Sequence, residues 1–123
     1  MAQRGDAVWH DLTVPNADEV RDFYSAVIGW QSEGLDMGGY QDYVMAAPGT
    51  QGQAGICHAR GSNANMPGQW LVYFQVPDLD VALAEVVARG GKILDGPREM
   101  GGRFACIQDP AGAVCSLFQP EGS

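Results

Sequence analysis

Val14-Pro15-Asn16-Ala17-Asp18 returns downstream as Val76-Pro77-Asp78-Leu79-Asp80, an offset of 62 residues. Gly29 and Gly91 stand the same distance apart, Ala47-Pro48 faces Asp109-Pro110 at 62, and Met37-Gly38-Gly39 recurs as Met100-Gly101-Gly102 at 63. Landmarks in one order at a near-constant offset mark an internal duplication, with copies of roughly 55–60 residues. The joint is Gly61-Ser62-Asn63-Ala64-Asn65-Met66-Pro67-Gly68, a polar, turn-forming stretch.

Each copy carries the same series of elements. A strand is expected at Val8–Val14 and again at Trp70–Val76. A helix follows. In copy one, Asn16 with Glu19 three residues on has the form of a capping box. Val20, Phe23, Tyr24, Val27 and Ile28 then recur at helical spacing until Gly29. In copy two Asp78 is the cap, Leu79, Ala82, Leu83, Val86 and Val87 form the stripe, and Gly90-Gly91 close it. The capping frames agree better than the stripes, because Phe23 falls on Glu85 and Val27 on Arg89. Three strands complete each copy: Trp30–Glu33, Tyr40–Ala46 and Ala54–Ala59, then Lys92–Asp95, Arg103–Gln108 and Ala113–Gln119. The glycine pairs Gly38-Gly39 and Gly101-Gly102 serve as turns or bulges, since no phosphate-loop pattern surrounds them. The expected class is α+β: one domain over 1–123 of two tandem βαβββ modules, at about 6–60 and 69–119, joined by 61–68.

Composition narrows the function. Seven Lys and Arg against 15 Asp and Glu, net charge −8, argue against nucleic acid and against anionic membrane surfaces. No apolar run reaches the ~20 residues of a membrane span, and the first residues carry no basic-then-apolar leader pattern, so a cytoplasmic protein is expected. Cys57, Cys106 and Cys115 are odd in number and lack CxxC spacing, which favours reduced core thiols over disulfides or zinc.

Alternation sorts the first strand of each copy. Val8, His10, Leu12 and Val14 share one face, as do Trp70, Val72, Phe74 and Val76, and this face should meet the helices. On that parity His10 reads as a packed, hydrogen-bonded structural histidine. The other face carries Trp9, Asp11 and Thr13, then Leu71, Tyr73 and Gln75. Such a mixture suggests a partly polar cavity, because unpaired buried polar groups are costly. Asp11 is placed to hold a cation, accept a hydrogen bond or act as general base, and Tyr73 is its repeat partner.

Trp9-His10-Asp11-Leu12-Thr13-Val14, the helix residues Phe23-Tyr24, Gly29-Trp30 and the closing Asp109-Pro110-Ala111-Gly112 resemble the signatures of the vicinal-oxygen-chelate superfamily, the glyoxalase, bleomycin-resistance and dioxygenase proteins. The resemblance implies curled, antiparallel-rich sheets around a cleft, often completed by a partner subunit, hence a homodimer. In metal-dependent members it also implies four ligands, one early in each module's first strand and one in each last strand. Carried over, these fall on Trp9, Leu71, Ser116 and either Cys57 or His58. Trp and Leu cannot coordinate and Ser is a poor ligand, so no metal ligand and no cofactor are expected, with a divalent ion as the alternative. The first reading is a small-molecule-binding protein whose ligand touches Trp9, Asp11, Tyr43, His58, Tyr73, Arg103 and Ser116. The second is an enzyme, a glyoxalase-like lyase, isomerase or dioxygenase relative, with Asp11 and His58 catalytic.

Overall fold

The computed structural model describes residues 2–99 and 101–122. The elements run β1 (Ala7–Val14), α1 (Ala17–Ile28), β2 (Gln31–Asp36), β3 (Gln41–Ala46), β4 (Ala54–His58), a 3₁₀ turn (Gly61–Asn63), β5 (Leu71–Gln75), α2 (Leu79–Ala88), β6 (Lys92–Glu99), β7 (Gly102–Gln108) and β8 (Val114–Pro120). The duplicated βαβββ order is therefore present, with β2 and β6 extending beyond their expected ends. Met100, one residue of the glycine-pair landmark, lies outside the described residues. Among the described residues no helix is long and apolar enough to cross a membrane.

The chain divides into two compact units. One is His10–Trp70; the other joins the N-terminal residues through Trp9 to Leu71 and everything after it. In the second unit Gly5 N–H donates to Gln75 O at 2.8 Å and Gln75 N–H to Asp6 O at 2.9 Å, pairing the N-terminal segment with β5. In the first unit the strand order is β2-β3-β4-β1, with β4 parallel to β1 and the other pairs antiparallel. In the second it is β5-β8-β7-β6, with β8 parallel to β5.

Each unit packs its own helix on one face of its strands. In the first, Ala17, Tyr43, Met45 and Ile56 are buried together, flanked by Val14, Val20, Tyr24, Trp30 and Trp70. Trp70 Nε1 donates to Tyr24 Oη at 2.9 Å, which satisfies two polar groups inside an otherwise apolar cluster. In the second, Leu79, Leu83, Ala105 and Ile107 are buried, flanked by Val76, Val86, Cys115 and Leu117.

The helices enter as the sequence suggests but not by the expected bonds throughout. Asp78 accepts from Val81 N–H at 3.2 Å, a side-chain cap. Asn16 makes no such cap; its amide donates to Glu19 Oε1 at 3.0 Å instead. The stripe on α1 is narrower than expected. Ala17, Val20 and Tyr24 face the core, while Phe23, Val27 and Ile28 stay 57%, 60% and 53% exposed. Val87 on α2 is likewise 60% exposed. Four short strands cover only part of a helix circumference, so the outer apolar positions stay in solvent. The core-facing positions repeat at 62 only in part, Ala17 with Leu79 and Tyr24 with Val86, whereas buried Leu83 falls on Arg21; the mismatched Phe23/Glu85 and Val27/Arg89 lie on the outside. His10 is also exposed rather than packed. Gly102, at φ 140°, is required by close approach: a Cβ there would sit 2.4 Å from Gln119 O.

Candidate functional site

The face turned away from α2 carries a row of polar side chains, one per strand. Tyr73 on β5 pairs with Ser116 on β8, Ser116 with Cys106 on β7, and Cys106 with Asp95 on β6. Residues opposite one another in register share a face, and the alternate residues Ala105, Ile107 and Leu117 are those packed toward α2. Tyr73, Ser116 and Cys106 are all buried, and the Phe104 ring stands 5.9 Å from that of Tyr73. Asp95 pairs with Arg98 at 2.6 Å, Nε to Oδ2. Ser116 Oγ is wholly buried and makes no well-formed hydrogen bond among the described residues. Its neighbour is the Cys106 thiol, which burial pushes up and the Ser116 hydroxyl pulls back down.

The counterpart row in the first unit is Asp11 on β1, Gly55 on β4, Val44 on β3 and Glu33 on β2. The register makes Gly55, not Cys57 or His58, the partner position of Ser116. Cys57 lies one step along the same face, opposite Thr13, with its thiol 3.7 Å from Asp11 Oδ2. Burial first, then the charges of Asp11 and Asp42, push that thiol far above its ordinary range. Cys57 is therefore a protonated donor to carboxylates, not an activated nucleophile.

His58 is seated elsewhere. It pairs with Val14, whose side chain belongs to the α1-side core, so the imidazole falls on that side and does not meet Asp11. Its N–H donates to Asp42 Oδ1 at 2.8 Å, its Nδ1 lies 3.3 Å from the same oxygen, and its Nε2 lies 3.5 Å from Asp18 Oδ1. Tyr43 is buried in the same core; its hydroxyl donates to Asp18, and that bond, before burial, raises its pKa. Arg103 also lies on the helix side, holding Asp80 with two bonds of 3.1 and 3.2 Å, and Asp80 is held below its usual carboxylate range by that guanidinium. Trp9 is half-buried in the second unit.

Of the residues expected to form one site, the structure brings Tyr73 and Ser116 together and sets Asp11 in the corresponding row of the other unit. Tyr43, His58 and Arg103 belong to the helix sides. Sequence reasoning missed Asp42, Asp95 and Cys106. An alternation count along β3 would have flagged Asp42 as a carboxylate at an inward position, whereas Asp95 depends on the register shifts in the β6–β7 pairing.

The donor set does not fit the superfamily's metal. Trp9 and Leu71 offer no ligand atom, Ser116 is a poor ligand, and the fourth place by register is a glycine. Among the described residues no group of three or more His, Cys, Asp or Glu side chains is arranged to hold an ion.

Comparison with known proteins agrees with this architecture. The chain is 31% identical over 120 residues to the provisionally named glyoxylase CFP32 of Mycobacterium bovis and, at the same identity, of Mycobacterium tuberculosis. The match takes in 96% of this chain and 45% of theirs, so the chain spans about half the length of these relatives. Among solved structures, methylmalonyl-CoA epimerase from Mycobacterium tuberculosis superposes with a TM-score of 0.58 at 18% identity, covering 97% of this chain and 89% of that one. The Bacillus halodurans hypothetical protein BH1468 gives 0.64 at 12%, covering 98% of each. A Streptomyces coelicolor methylmalonyl-CoA epimerase variant in complex with 2-nitronate-propionyl-CoA gives 0.59 at 18%, covering 98% and 97%. At these identities the structures speak for the fold alone. The family model for the Glyoxalase/Bleomycin resistance protein/Dioxygenase superfamily matches residues 7–117, and the chain belongs to that superfamily.

Proposed function

We propose that this chain is a small-molecule-binding member of the superfamily that works without the metal, holding its ligand on the face of the second unit turned away from α2. The observation that carries the reading is Ser116 Oγ, buried and without a well-formed hydrogen bond among the described residues, in a row with Tyr73, whose ring stands near that of Phe104. A buried hydroxyl wholly without a partner costs about 1–3 kcal/mol; the Cys106 thiol, a weak partner, offsets part of that for Ser116, and a ligand polar group would relieve the rest. The aromatic rings supply the apolar walls that small-molecule sites favour. A homodimer in the cytoplasm belongs to the same reading.

A second reading, metal-free acid–base catalysis on a small oxygenated substrate, rests on Asp11 and Asp42 flanking Cys57. It draws on the relatives' names only by analogy, since one fold hosts many activities. Asp11 and His58 do not form its acid–base pair, because they occupy opposite sides of β1 and β4.

Metal analysis of the native protein, with a melting-temperature panel of Zn, Ni, Mn and Fe, tests the metal-free reading. The expected result is substoichiometric metal and no ion-specific shift. A stoichiometric ion would sink the reading. Asp11→Asn separates the two readings: it should leave binding on the Ser116 face intact and abolish turnover if the acid–base reading holds.

A further inference from the structure

We propose a second ligand site on the opposite, helix-bearing side of the second unit, taking a small molecule with an apolar body and one carboxylate. A hollow of about 360 Å³ lies between α2 and the Asp109-Pro110 turn, within the size range of small-ligand sites. Val76, Val81, Val86, Ile107 and Pro110 line it. It does not overlap the row containing Ser116, since Ile107 and Val86 belong to the α2 core.

The duplication explains why the hollow exists. The repeat counterpart of Val86 is Tyr24, whose ring packs at 5.9 and 5.4 Å from Trp30 and Trp70. Copy one fills the space beside its helix with aromatic rings; copy two sets a valine there and leaves it open.

The rim selects the charge of the occupant. Three carboxylates line it; Glu85 is neutralised by an arginine, whereas Asp78 and Asp109 accept backbone N–H groups and keep their charge. Asp78 Oδ1 caps α2 at Val81 N–H, Asp109 Oδ1 accepts from Ala111 and Ala113 N–H at 2.8 and 3.0 Å, and Glu85 holds Arg89 at 2.7 Å. The remaining rim charge is Arg4, which forms no ion pair among the described residues. A guanidinium answers a carboxylate with parallel hydrogen bonds. The chain's net charge of −8, with Asp78 and Asp109 on the rim itself, opposes an anion, so the direct Arg4 contact must prevail over both, well within a Debye length of about 8 Å.

The test is an NMR titration of the whole chain with octanoate, octylamine and 1-octanol as matched probes. Saturable shifts at Val81, Val86 and Ile107 are expected, with octanoate at least tenfold tighter than octylamine. Arg4→Gln, at an exposed position, should erase that preference and leave octanol unchanged. Val86→Tyr, which imports the residue of copy one, should abolish binding of all three. Should that variant fail to fold, Arg4→Gln still decides. Absence of saturation, shifts confined to the Ser116 face, octylamine binding as tightly as octanoate, or an unchanged preference in Arg4→Gln would each overturn the site.

Discussion

The row Asp95–Cys106–Ser116–Tyr73 and the row Glu33–Val44–Gly55–Asp11 hold equal places in the two copies, yet one is lined with hydroxyl, thiol and carboxylate and the other is bare at its centre. The helix sides show the opposite behaviour. Ala17 packs in a cluster with Tyr43, and at the equivalent places Leu79 packs in a cluster with Ala105. A small helix residue goes with a large strand residue in one copy and the reverse in the other, so the volume at this one contact is filled both times, whereas the exchange of Tyr24 for Val86 farther along the helix leaves a hollow. Divergence after duplication was therefore compensated at the buried centre of each helix contact, where packing density constrains it, and left uncompensated at the edge of that contact and on the other face, where the polar groups stand.

The largest expected effect tests that compensation. Leu79 is fully buried, and Leu79→Ala should destabilise by about 2–5 kcal/mol, read from denaturant midpoints. Ala105→Tyr added to it should recover part of the loss by rebuilding the Ala17/Tyr43 arrangement. No recovery would mean that the swapped volumes do not stand in for one another. A smaller effect comes from the thiols. Burial raises Cys57, Cys106 and Cys115 in the folded chain. Above about pH 8.5 the unfolded chain loses thiol protons that the folded chain keeps. Stability is therefore full below that pH and falls as pH rises, by up to about 1.4 kcal/mol per pH unit for each thiol. Cys57→Ser should remove one thiol's share of that slope between pH 9 and 10; an unchanged slope would place Cys57 in contact with solvent.

The duplication was legible because its markers are local. A Val-Pro-Asx entry, a glycine exit and an Asp-Pro-Ala-Gly turn act within a few residues, whatever surrounds them. What failed depended on distance. The partner of Ser116 is Gly55 rather than Cys57 or His58 because the pairing of β4 with β1 sets it, and a slip of one residue changes the face of every side chain. His58 and Arg103 looked available for a site, but each meets a helix carboxylate far away in sequence, Asp18 for one and Asp80 for the other. Tyr73 and Ser116 do lie opposite one another, because first-strand alternation and the closing strand are both anchored by nearby landmarks.

The contrast between the rows turns on one hydroxyl. If Ser116 Oγ is an unanswered group, Ser116→Ala should leave the ligand-free protein equally stable or raise its stability by about 1 kcal/mol, since removing a buried polar atom without a partner relieves its desolvation. The same substitution should weaken ligand binding on that face, so stability and affinity move in opposite directions. A hydroxyl bonded well to Cys106 would behave otherwise, and its removal would lower stability with or without ligand. Gly55→Ser is the companion variant: it gives the bare row the missing group, and it should bring no ligand affinity to the first unit, because Val44 and Glu33 stand where Cys106 and Asp95 stand in the other. Affinity gained there would show that a lone hydroxyl suffices and that the rest of the row is incidental.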